Sequence, residues 1–182
     1  DLLIGTQENI NICKLSGESF SVLSTVEGFD YSSVTAIHRV NDADIYAAGT
    51  NCNGLFKLTI SQGRTILNRF PDRPELEMLD VQYMTEDSDR NLWVATNESG
   101  VLELSFSQND ASVRSVRHFN KDSGLPGSNA RVVYQDIESN YWIGLFGDGL
   151  AMLNSLSFVL YSPGTIPETN NIISVDRIGK DY

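Results

Sequence analysis

Asp87-Ser88-Asp89-Arg90-Asn91 has the alternating acid and amide side chains that open a calcium loop, and Glu98 stands at the twelfth position, where such a loop places its last carboxylate. The sixth position, which needs glycine for the sharp turn, is Leu92, and Leu92-Trp93-Val94-Ala95 reads as a strand. A β-turn rich in Asp and Asn accounts for the segment without a metal. Trp93 and Trp142 could stack on a sugar ring. Because they share a position in a repeat, they are expected to be packing residues whose indole N–H groups need partners. His38 and His118 are isolated, and no G-x-S-x-G nucleophile motif accompanies either. With two Cys and two His there is no zinc pattern, and Cys13 and Cys52 give no indication of a disulfide. Paired carboxylates for glycoside hydrolysis need only about 5–10 Å between them in space, so sequence leaves that chemistry open. The acids Asp42, Asp44, Asp87, Asp89, Asp136 and Glu138 fall in turns and read as a solvated rim. No catalytic residue, metal site or cofactor is assigned.

The elements that would position these residues recur. "VNDADIYAAGT" (Val40 to Thr50), "DSDRNLWVAT" (Asp87 to Thr96) and "DIESNYWIGL" (Asp136 to Leu145) are copies of one strand-turn-strand unit. A further copy is split between "DLLIGT" (Asp1 to Thr6) and "DRIGKDY" (Asp176 to Tyr182). Leu3, Tyr46, Trp93, Trp142 and Tyr182 mark the shared point, at steps of 43, 47, 49 and 40 residues. Such periods belong to propeller blades or helical arrays. Short β-branched and aromatic runs broken by Asn, Asp, Gly and Ser decide for strands.

In the clearest copy, strand A covers Asp80 to Glu86, strand B Asn91 to Thr96, strand C Val101 to Leu104 and strand D Ser115 to Phe119. A glycine precedes strand C at Gly54, Gly100 and Gly149, and Asn11 takes that place in the first copy, as a residue that also tolerates positive φ. Cys13 is aligned with Phe56, Leu102 and Ala151. Four short antiparallel strands repeated radially make an all-β, β-propeller architecture. The blade repeats run over about 1–23 (partial), 34–70, 80–119, 130–161 and 172–182 (partial).

The chain has 182 residues, 41% hydrophobic, and a net charge of −11. That charge argues against nucleic acid, which calls for a basic stripe. No apolar run approaches the roughly 18 residues of a membrane span. The chain begins at Asp1 without Met and is expected to be a piece of something longer.

"EDSDRNLWVATNESGVLEL" (Glu86 to Leu104) and "GLPGSNARVVYQDIESNYWIGLFGDGLAML" (Gly124 to Leu153) resemble the two-component regulator propeller repeat. The shared features are an Asp-containing A–B turn, a Trp-bearing strand, a Gly-Leu strand and the linking Gly124-Leu125-Pro126. The resemblance implies the extracytoplasmic, periplasmic sensor domain of a bacterial hybrid two-component histidine kinase, of the kind found in Bacteroides-like bacteria. It implies an oligosaccharide ligand, a membrane-anchored parent, and kinase chemistry on other domains.

In such a blade the B–C and D–A loops emerge on one face, where function concentrates. The candidate ligand residues there are Asn51, Asn53, Arg73, Asn97, Glu98, Lys121, Arg131, Phe146 and Asp148, with Arg73, Lys121 and Arg131 suited to an anionic sugar. The alternatives are a protein-interaction or dimerisation scaffold, and a propeller glycosidase or lyase. The strand expected at Ile172 to Arg177 could complete the first blade in a closed four-bladed ring. The favoured reading is an arc of a larger ring, with the remaining blades or a second copy of the chain as its partner.

Overall fold

In the computed structural model, residues 1–40, 45–107, 111–154, 157–161 and 172–175 are described. The positions expected at Asp42 and Asp44, in the loop 163–171 and at 176–182 lie outside them. Among the described residues, fifteen strands form four antiparallel sheets, each in chain order. The first holds β1 (Leu2–Gly5), β2 (Ile10–Ser16) and β3 (Ser19–Val26). The second holds β4 (Val34–Arg39), β5 (Ile45–Thr50), β6 (Leu55–Ser61) and β7 (Arg64–Arg69). The third holds β8 (Asp80–Glu86), β9 (Leu92–Asn97), β10 (Gly100–Phe106) and β11 (Val113–Phe119). The fourth holds β12 (Ala130–Gln135), β13 (Tyr141–Leu145), β14 (Gly149–Leu153) and β15 (Phe158–Tyr161).

Three buried clusters join the sheets pairwise. Ile10, Phe29, Phe56 and Leu58 lie between the first and second. Leu55, Leu76, Val81, Leu92 and Leu104 lie between the second and third, and Trp93, Val101, Leu125, Ile143 and Leu145 between the third and fourth. Among the described residues no cluster joins the fourth sheet to the first. Each D–A connection plugs its cluster with a buried apolar residue, Phe29, Leu76 or Leu125, each 1% exposed, and Phe70 and Leu79 join Leu76 in the second. The expected Gly-Leu-Pro link does this through Gly124, which takes a left-handed φ of 95° after a short 3-10 turn, so that Leu125 can turn inward.

The glycine before strand C has a stitching role. Gly54 and Gly100 have φ of 72° and 74°, and their amides donate to Leu79 O (2.9 Å) and Ser128 O (2.7 Å) in the connection to the next sheet. A Cβ on either would run into a backbone carbonyl, that of Leu76 or Phe119.

The pairing corrects the sequence register in three places. Gly49 pairs with Leu55 as Ala95 pairs with Val101 and Gly144 with Leu150, so Ala47, not Tyr46, holds the position of Trp93 and Trp142. The cause is the A–B turn, which closes from Val40 N to Ile45 O in the second sheet, one residue longer than Asp87 N to Asn91 O. In the first sheet the B–C loop is one residue shorter. Thr6 bonds Asn9 (2.9 Å) where Thr50 bonds Gly54 (3.0 Å), so Asn9 and not Asn11 takes the glycine's place. Cys13, paired with Leu2, therefore aligns with Leu58, Leu104 and Leu153 rather than with Phe56, Leu102 and Ala151. Finally, the strand expected at Ile172 to Arg177 has no strand assignment over its described part, 172–175. Ile172 nevertheless donates to Leu145 O (3.4 Å), as Val34 donates to Thr6 O (2.9 Å).

Candidate functional site

The calcium-like segment is a packing device. Asp87 Oδ1 accepts from the amides of Asp89 (2.9 Å) and Asn91 (2.8 Å). Its Oδ2 accepts from Trp93 Nε1 (2.9 Å), Tyr141 Oη (2.9 Å) and Asn91 Nδ2 (3.1 Å). Burial pushes the Asp87 pKa up, but the bonds from Trp93, Asn91 and Tyr141 outweigh it and hold the carboxyl below its usual value. Trp93, fully buried, is stacked between Phe119 (5.3 Å) and Tyr141 (4.0 Å). Asp136 repeats the device: Glu138 and Asn140 amides on Oδ1 (both 2.9 Å), Trp142 Nε1 on Oδ2 (2.8 Å). In the second sheet Val40 and Ala47 stand in the Asp and Trp positions, so both halves of the device are lost together.

The A–B and C–D turns border a cleft of about 460 Å³ between the third and fourth sheets, lined by Arg117, Phe119, Asn140, Tyr141 and Phe158 among others. A smaller one, about 210 Å³, recurs on the third sheet, where Asp89, Arg90, Asn91 and Ser105 replace Glu138, Ser139, Asn140 and Asn154. Recurrence makes it a product of sheet packing. None of the nine candidate residues lines either cleft. His38 meets Glu86 at 3.4 Å, a histidine–carboxylate pair, but neither lines either cleft. Glu103, largely buried, is clamped by Arg117; burial outweighs that pairing and raises its pKa.

Seven of the nine candidates lie on the B–C and D–A loops, whereas Asn97 ends β9 and Arg131 lies within β12, and several are committed to the scaffold. Asn51 Oδ1 accepts from the Ser33 amide (2.6 Å), and Asn53 Oδ1 accepts from Arg69 (2.7 Å). Arg73 donates to Val113 O (2.7 Å) and Arg114 O (3.1 Å). Glu98 and Lys121 are exposed.

The others converge. Asn97 Nδ2 donates to Asp80 Oδ2 (3.0 Å), and Gln82 Nε2 donates to Asp80 Oδ1 (2.7 Å). Arg131 donates to Gln82 Oε1 and lies 5.0 Å over the ring of Phe146, which is 43% exposed. Asp148 is exposed and close against Gly127.

Asp80 and Gln82 are the residues that sequence reasoning missed. Gln82 sits on a β-bulge, and the register breaks at the equivalent residue of each four-stranded sheet: Thr35, Gln82 and Arg131. The first strands β4, β8 and β12 lie side by side, so the bulges form one polar row. A bulge re-aims a side chain and leaves it outside the ladder. Its only sequence signal is a polar residue between two apolar ones early in strand A: Val34-Thr35-Ala36, Val81-Gln82-Tyr83, Ala130-Arg131-Val132.

Arg131 makes no ion pair with a carboxylate among the described residues, and its buried Nε has no hydrogen-bond partner. In a chain of net charge −11 that is unusual, because a half-buried cation is ordinarily neutralised. Among the described residues no group of three His, Cys, Asp or Glu is placed to hold a metal, and no helix is long and apolar enough to cross a membrane.

No family model matches the chain, and no curated protein matches it. Solved structures do. The extracellular domain of a protein assigned as a hybrid two-component system from B. thetaiotaomicron superposes with TM-score 0.59 and 17% identity over 92% of this chain and 28% of that one. A protein of unknown function from Bacteroides caccae superposes with TM-score 0.54 and 16% identity over 88% of this chain and 57% of that one. The chain thus spans less than two thirds of either, and at these identities the likeness is one of fold.

Proposed function

We propose that the chain is a sensory, ligand-binding arc of a β-propeller, belonging to the extracytoplasmic part of a two-component sensor, and that it carries no catalysis of its own. Successive up-and-down sheets with their first strands side by side support the propeller reading. The repeat resemblance and the fold likeness to an extracellular two-component domain support the sensory one. The ligand is an oligosaccharide held on the B–C and D–A loop face.

The observation that carries this is Arg131: a guanidinium on the bulge row, stacked on exposed Phe146 and without a carboxylate partner among the described residues. An aromatic face for sugar C–H groups beside a fork of donors suits a sugar bearing a carboxylate or sulfate. Thermal-shift screening against neutral and acidic oligosaccharides tests it. A binder at a hundredfold excess over its Kd adds about 2.7 kcal/mol of stability. Arg131→Gln should abolish the shift by acidic ligands while leaving the unliganded melting temperature within a few degrees. No shift with any glycan would set the sensory reading aside.

A further inference from the structure

We infer that Gln82 is a positioning residue: it keeps Arg131 from pairing with Asp80, and so reserves the guanidinium for an anionic group of the ligand. The inference rests on the acidic-ligand reading above and names what gives the site that preference. Two opposite charges stand one amide group apart. Asp80 accepts from Asn97 Nδ2 (3.0 Å) and Gln82 Nε2 (2.7 Å), both neutral donors, and meets no cation among the described residues. Arg131 donates to Gln82 Oε1 and meets no carboxylate among them. Elsewhere in the chain arginines do find carboxylates: Arg69 lies 3.9 Å from Asp30, Arg73 lies 3.5 Å from Glu75, and Arg117 clamps Glu103. Direct contact between Asp80 and Arg131 would be the more strongly attractive arrangement, because Coulomb attraction weakens with separation. The amide of Gln82 occupies the gap.

The direction of each bond explains how the spacer holds. Gln82 sits on the β8 bulge, outside the ladder. A carboxylate only accepts, so Asp80 turns the donating Nε2 of Gln82 toward itself and leaves the accepting Oε1 for Arg131. Asn97, on the other oxygen of Asp80, fixes the carboxylate in turn. The order Asn97–Asp80–Gln82–Arg131 therefore runs one way, and it ends on a cation stacked over exposed Phe146. The neighbouring sheets show that the fold needs neither charge. The places of Asp80, Gln82 and Asn97 are held in the second sheet by Ser33, Thr35 and Asn51, and in the fourth by Asn129, Arg131 and Phe146. In the second sheet Asn51 Oδ1 accepts from the Ser33 amide (2.6 Å), and no charged group takes part. The carboxylate of the third sheet and the guanidinium of the fourth are additions to a neutral scaffold, and the amide between them stops them from cancelling.

The test compares the 182-residue chain with Gln82→Ala and with Gln82→Ala/Asp80→Asn. Each is crystallised without ligand, and each is titrated with sulfate at constant ionic strength, followed by the NMR shift of the Arg131 Nε–H. In Gln82→Ala, Arg131 should lie within about 4 Å of an Asp80 oxygen, as an ion pair. Sulfate should then bind at least about tenfold more weakly than to the unsubstituted chain. Adding Asp80→Asn removes the competing carboxylate and should bring sulfate binding back to within about threefold of the unsubstituted chain. A side chain that merely shaped the site would not be replaced by a change at Asp80. If Arg131 stays apart from Asp80 in Gln82→Ala, or if the double variant binds as weakly as the single one, the inference is overturned. If the pair forms but neither the unsubstituted chain nor the double variant binds sulfate, the acidic-ligand reading falls, and the selection built on it falls too, while the spacing role of Gln82 stands.

Discussion

Asp87 shows how one side chain can look like a metal ligand and serve packing instead. Its two oxygens are filled by three side-chain donors and two amides. Asp87→Ala leaves the indole N–H of Trp93 and the phenol of Tyr141 buried without an acceptor, and is expected to cost roughly 3 kcal/mol, measured by urea denaturation. The pH dependence follows from sign. Asp87 and Asp136 both have folded-state pKa values below the usual one, so their contribution is present above the ordinary Asp value of about 4 and is lost as pH falls through the lower folded value. Glu103, raised by burial, acts in the opposite sense, weakening the fold as it ionises between its usual and its raised value. Asp87→Asn should therefore flatten the acid limb of the stability-versus-pH curve below about pH 4, whereas Glu103→Gln should leave that limb unchanged and remove a loss of stability that sets in above the usual Glu value of 4.5.

At the scale of the element, the glycine before strand C sets the spacing between sheets. Gly100→Ala places a methyl against Phe119 O and strains a φ of 74°. A loss of about 2–4 kcal/mol is expected from crowding and strain together, read from the shift of the denaturation midpoint. Leu125→Ala removes the plug of the third interface and should cost about 2–5 kcal/mol. These features were legible in the sequence because they depend on local backbone demands. The strand boundaries of the clearest repeat were legible too: strand A, Asp80 to Glu86, is β8 itself. What sequence could not show was register. One extra residue in the second A–B turn put Ala47 where Tyr46 was expected, and a one-residue slip turns every side chain to the other face. The bulge row was nearly as hidden, because its one signal, a polar residue between two apolar ones, tells neither that the pairing breaks there nor that Arg131 stacks on Phe146. Of the nine candidate ligand residues, the structure gathers Asn97, Arg131 and Phe146 around Asp80 and Gln82, with Asp148 on the same loop as Phe146. It commits Asn51, Asn53 and Arg73 to holding connections in place.

At the scale of the molecule, each buried cluster belongs to one pair of neighbouring sheets, so the stabilising interfaces form a line. Such a chain of nearest-neighbour couplings behaves like a zipper rather than a single cooperative block. Opening should begin at the sheet with one neighbour and the fewest strands, the first, whose outer strand β3 is exposed along nearly its whole length. Amide hydrogen exchange should then run slowest in β9 and β10, fastest in β2 and β3, with a Leu125→Ala substitution uncoupling the fourth sheet while leaving protection in the second. The same linearity gives a signal a route: a ligand that ties Gln82 to Arg131 bridges two links of the zipper and should raise protection on both sides at once, with no change in the shape of either sheet.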